Sequence, residues 1–118
     1  MSVIVTPSST PDTYNVATLT SSSSGNATII TPSGSNHVRV HYVMMNADGA
    51  NTADVTAAVR FAAAGVLLYK TSLKAGSIFA RNVGAGRRYI GGAAGEALIL
   101  NLSAAQAVNV TVEYEEVP

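Results

Sequence analysis

The chain has 118 residues and no cysteine, which suits a single domain and excludes disulfides and thiolate metal centres. Only 12% of its residues are charged, against about 25% in ordinary soluble domains, and seven basic residues balance seven acidic ones. So weak a charge gives no electrostatic footprint for nucleic acid or an anionic membrane, and little repulsion to keep copies apart.

The chain opens with "MSVIVTPSST", which lacks the basic n-region and long apolar run of a signal peptide. Its β-branched patch, Val3-Ile4-Val5, is followed by Pro7 and Pro11, which forbid a regular helix or a central strand. Residues 1–13 therefore read as an extended arm, and residues 14–118 as one folded domain.

From Tyr14 the pattern is strand, turn, strand. "YNVATLT" meets the polar turn "SSSSGN", and "ATIIT" is stopped by "PSGSN". In "HVRVHYVMMN", Val38, Val40, Tyr42 and Met44 alternate with His37, Arg39 and His41, which predicts one dry and one wet face. "TADVTAAVRFAAAG" fits a helix capped by Thr52 or Asp54 and closed by Gly65; it also fits a strand with Val55, Ala57, Val59 and Phe61 inward. Strict alternation and the flanking strands favour the strand. "VLLYKTS", "SIFARN", "EALILNL" and "AVNVTVEYEE" complete the series, interrupted by the Gly/Ala-rich loop "VGAGRRYIGGAAG".

Eight strands result, near 14–20, 27–31, 37–46, 55–62, 66–72, 77–82, 97–102 and 107–116. The fold class expected is all-β: a single-domain antiparallel β-sandwich, jelly-roll-like, with an immunoglobulin-like sandwich as the alternative. The expected core is Val16, Ile29, Val38, Val40, Tyr42, Val59, Phe61, Leu67, Tyr69, Ile78, Leu98, Leu100, Val110 and Val112.

Chemistry is hard to build from these residues. His37 and His41, four apart on a strand, stand about 13 Å apart, too far to grip one zinc ion at about 2.0–2.1 Å from each nitrogen. Arg39 between them would repel a cation. The three read as a polar outer face and a candidate surface for self-association. Asp48 and Asp54 lack the spacing and the terminal Glu of a calcium loop. "GAGRRY" has Tyr89 where a dinucleotide fingerprint needs glycine, and no helix follows. No Ser–His–acid set is visible. Glu113, Glu115 and Glu116 on the last strand read as charges that blunt an exposed edge. No catalytic residue, cofactor or metal is expected, and the chain does not read as an enzyme.

One stretch, "RRYIGGAAGEALILNLSAAQAVNVTVEYEEVP", resembles the C-terminal portion of head-decoration proteins of tailed bacteriophages. There a Gly/Ala loop leads into an "EALILNLSAA"-like strand, and a "VNVTVEYEEV"-like strand ends the chain. The resemblance covers about a third of the sequence and carries no catalytic signature. It implies a β-sandwich, often a homotrimer, that is made in the bacterial host cytoplasm and binds the major capsid protein on the outer surface of the virion. By that analogy the arm (Val3, Ile4, Val5) and the loop arginines Arg87 and Arg88 are candidate capsid contacts.

Overall fold

The computed structural model describes residues 14–62, 66–83 and 89–118, none of them helical. Nine strands run in chain order: β1 Asn15–Ser21, β2 Gly25–Ile30, β3 His37–Ala47, β4 Val55–Phe61, β5 Leu67–Leu73, β6 Ile78–Asn82, β7 Ile90–Gly91, β8 Leu98–Leu102 and β9 Val108–Val117. They form two sheets, ordered β1-β9-β3-β6 (the front sheet) and β2-β8-β4-β5 (the back sheet); the two-residue β7 pairs with β3 beyond the end of β6.

The order has a simple logic once β7 is set aside. The first strand pairs with the last, the second with the last but one, the third with β6, and the fourth with the fifth, all antiparallel. The chain is thus one long two-stranded ribbon folded back on itself. Pairing of β9 with β3 and of β8 with β4 rolls that ribbon into two sheets. This is the jelly roll; the immunoglobulin arrangement, with strands ABED in one sheet and CFG in the other, is a different order.

Segment 55–61 is a strand, with Val55, Ala57, Val59 and Phe61 buried as the alternation predicts. Ala57 sits in the core between the two sheets. From the front sheet Val38, Val40, Val43, Met45, Val108, Val110 and Val112 meet Val59, Phe61, Leu98, Leu100 and Leu102 from the back sheet, all buried. Gly92 belongs to this packing: a Cβ there would stand 2.6 Å from Cδ1 of Phe61, so only glycine lets the ring fill its site.

Several expected core residues face outward. Val16, Leu67 and Ile78 are exposed, and Tyr42 is half-buried. On β1 the inward positions are Ala17 and Leu19, and on β6 it is Phe79 that packs on the core. Ile29 does pack against the core, partly buried, and a register shift between Thr28 and Ile30 adds Ile30, which is buried. Edge strands carry apolar residues of both parities, so alternation alone does not fix which parity turns inward. The last strand corrects a larger expectation: β9 lies between β1 and β3. Its acids do not blunt an edge.

Candidate functional site

The front sheet holds a cluster built by one irregularity in β3. Val40 pairs with Tyr114 and Tyr42 with Glu113, so His41 has no opposite number and forms a β-bulge. One extra residue reverses the parity of everything after it. Val38 and Val40 point inward before the bulge; Val43, Met45 and Ala47 do so after it.

The bulge also draws His41 out of the solvent, to 9% exposure. Its Nε2 lies 2.8 Å from Oε1 of Glu115, whose carboxylate accepts the hydrogen bond. The ring of Tyr14 stacks on the imidazole at 4.0 Å and 18°, and Tyr89 meets it edge-on at 6.0 Å. The guanidinium of Arg39 sits 4.5 Å above the Tyr89 ring. Nδ1 of His37 is 3.0 Å from the carbonyl oxygen of Gly92. A carbonyl only accepts, so Nδ1 bears the proton and Nε2 of the neutral ring is left as an acceptor. His37, Arg39, Tyr89, Gly91, Gly92 and Val117 border a shallow groove of about 360 Å³.

The three residues expected on an open polar face are therefore each held by their own chain. His37 and Arg39 border the groove, while His41 lies beneath Tyr14. The cluster fastens the start of β1, the bulge of β3, β9 and the entry to β7 at one point. Among the described residues no three His, Asp or Glu side chains converge as metal ligands, and no hydroxyl is bonded to either histidine. Asp48 turns its Oδ1 to the amide of Ala50 at 2.9 Å and serves as a turn former. Val3, Ile4, Val5, Arg87 and Arg88 lie outside the described residues.

Another acid of the terminal strand, Glu116, has a separate task. Oε2 of Glu116 accepts hydrogen bonds from the backbone amide of Ser33 at 2.7 Å and from Nδ2 of Asn36 at 3.0 Å. The Ser33 amide, and then the Asn36 side chain, hold its carboxyl below the usual carboxylate range.

Beyond the cluster, the outer face of the front sheet is regular. Three cross-strand rows run over β1, β9, β3 and β6: Thr20, Asn109, Asn46, Ile78; then Thr18, Thr111, Met44, Ala80; then Val16, Glu113, Tyr42, Asn82. Glu113 is the sole charge among them. Val16 and Ile78, at opposite corners, are 62% and 69% exposed. At the Ile78 end, Thr20, Asn46, Asp48 and Asn109 line a groove of about 430 Å³.

Tyr14, Tyr89, Gly92 and Glu115 escape a reading of the sequence as members of a site. Glu115 meets His41 across 74 positions of chain, and a bulge has no local residue signature. No family model, curated protein or solved structure matches the chain.

Proposed function

We propose that this protein is a structural component of a tailed-bacteriophage virion, which decorates the outer surface of the capsid and stabilises it. The observation that carries the reading is the front face: twelve outward side chains, one of them charged, with Val16 and Ile78 left bare. A sheet face with so little charge offers little repulsion to a docking partner, and its Thr and Asn side chains can hydrogen-bond across a contact. A net charge of zero is compatible with dense packing of copies on a shell. The resemblance to head-decoration proteins adds support. It runs through β7, β8 and β9, and the latter two are central strands, one in each sheet; most of what is similar is therefore scaffold.

On this reading the partners are the major capsid protein and further copies of the chain, as a homotrimer. Val3, Ile4, Val5, Arg87 and Arg88 contribute capsid contacts, and His37 and Arg39 belong to a surface shared between copies. The protein has no enzymatic role. The test is to add purified protein to undecorated heads and measure occupancy by cryo-EM. Saturable occupancy, with heads that then resist heat or chelation better, is expected. Co-fractionation with tails and no binding to heads would overturn the proposal.

One observation favours a second reading, a tail-borne receptor- or carbohydrate-binding module: the groove flanked by the Asn46 and Asn109 amides, the Asp48 carboxylate and exposed Ile78. Amides and a carboxylate can donate to and accept from sugar hydroxyls. Glycan binding that is lost in Asn46→Ala, without affinity for heads, would select it.

A further inference from the structure

Sheets of this kind have open edges, and each edge strand presents a row of unused backbone donors and acceptors. Three of the four edges here carry a device that discourages pairing. β2 has a register shift between Thr28 and Ile30 and runs into Pro32. β5 carries Lys70 and a register shift against β4. β6 is five residues long and carries Arg81. β1 has none of these. Its seven residues, "NVATLTS", contain no charge and no proline, and pair with β9 in unbroken register from Asn15 to Ser21. Apart from the β9 ladder, no backbone group of residues 15–21 bonds to the backbone of another described residue.

We infer that the free edge of β1 is an acceptor for an extended strand, and that its occupant is the segment around Val3-Ile4-Val5 of a second copy of the chain. The composition fits: three consecutive β-branched residues, uncharged, laid against an uncharged edge. Geometry argues for a second copy over the chain's own arm. Tyr14, immediately before β1, is pinned by its stack on His41. To pair with its own edge, about 4.8 Å away, the arm would have to fold back along β1, which a two-residue turn does best. What lies between in sequence is residues 6–13, with Pro7 and Pro11, eight residues that can span up to about 25 Å at about 3.1 Å per residue. That length and stiffness suit a neighbour. Donor arm and acceptor edge are different surfaces, so the contact is heterologous: it makes a ring of copies where the rotation closes and an open chain of copies where it does not. The inference does not rest on the capsid reading: it gives Val3, Ile4 and Val5 a second copy as partner where that reading gives them the capsid, and its test contains no capsid.

The chain has no cysteine, so introduced thiols are unique. Full-length Ile4→Cys is mixed with full-length Thr18→Cys, Thr18 being exposed in the middle of β1, and treated with a short bis-maleimide. A parallel mixture uses Ser72→Cys, exposed on the edge strand β5. Cross-linked dimer several-fold above the Ser72→Cys control is expected. Equal yields from the two mixtures would overturn the inference. So would a double variant, Ile4→Cys with Thr18→Cys, that closes within one chain while the mixed single variants give no dimer. Hydrogen exchange reads the same contact without cross-linking. Outward amides of β1 should lose protection in Ile4→Asp; identical exchange in both proteins sinks the idea.

Discussion

The outer faces of the two sheets are finished differently. On the back sheet, Ile99 and Ala58 point outward yet are only 7% and 5% exposed. Arg60 stands opposite Ile99, and Lys70 opposite Ala58. Methylene stems of that length can lie over apolar neighbours while their charges stay in water. The front sheet has no such cover. Its rows consist of Thr, Asn and apolar residues with Tyr42 and a single charge, Glu113, and Val16 and Ile78 at two corners are bare. One sheet covers its outward apolar residues, and the other leaves Val16 and Ile78 exposed. With similar hydrophobic faces toward the core, the sheets differ where stability is least at stake and binding is most at stake.

If the asymmetry is confined to the outside, matched substitutions on the two inner faces should hurt alike. Met45→Ala in the front sheet and Leu100→Ala in the back sheet, both at fully buried positions, should each cost about 2–5 kcal/mol in chemical denaturation. A cost below about 1 kcal/mol for one of them would carry the asymmetry into the core. Gly92→Ala probes the seam between the sheets. The added Cβ meets the Phe61 ring, buried between backbone and core, and should cost about 1–3 kcal/mol through overpacking; a denaturation midpoint equal to that of the parent would show that the ring can give way.

The comparison is sharpened by surface charge. Ile78→Lys on the front face and Lys70→Ser on the back face should each change stability by no more than about 0.5 kcal/mol. Only Ile78→Lys should reduce occupancy on heads. Equal loss from both substitutions would remove the distinction between the faces.

The smallest effect is electrostatic. The Glu116 carboxyl is held below its ordinary range by the Ser33 amide and the Asn36 side chain, so the folded state binds its proton less readily than the unfolded chain does. The stability it contributes is fully present above the unfolded value and is lost as pH falls through the lower folded value. The difference in stability between the parent and Glu116→Gln should therefore shrink in that acid window, as a pH series of denaturation curves would record. A difference that stays constant with pH would mean that the hydrogen bonds act without the charge.

The strands themselves were legible because the chain alternates wherever one face is dry. "VTAAVRF" and "VNVTVEY" carry that pattern strongly enough to outweigh the helix propensity of alanine. What resisted reading has one physical source. A bulge or register shift costs a single residue, leaves no mark in composition and inverts every facing beyond it. His41 reversed the second half of β3, so Tyr42 and Met44 exchanged places with Val43 and Met45. The same residue, read as a member of an open polar row, became the pivot of a cluster whose partners Tyr14, Tyr89 and Glu115 come from three distant parts of the chain. The short β7 was hidden for a related reason. Two residues, Ile90 and Gly91, are too few to display a period, and they pair only because β3 extends past the end of β6.

The nested pairing also sets a clock. Asn15 has no partner until Tyr114 exists. At translation rates of roughly 5–20 residues per second, β1 waits about 5–20 seconds on the ribosome with both of its edges open. β4 and β5, adjacent in the chain, can pair almost as soon as they emerge. Assembly thus proceeds from the middle of the sequence outward, and the strand made first is secured last. Throughout that interval an unprotected, uncharged strand meets other nascent chains before it meets β9, so crowded synthesis is when misassembly threatens most.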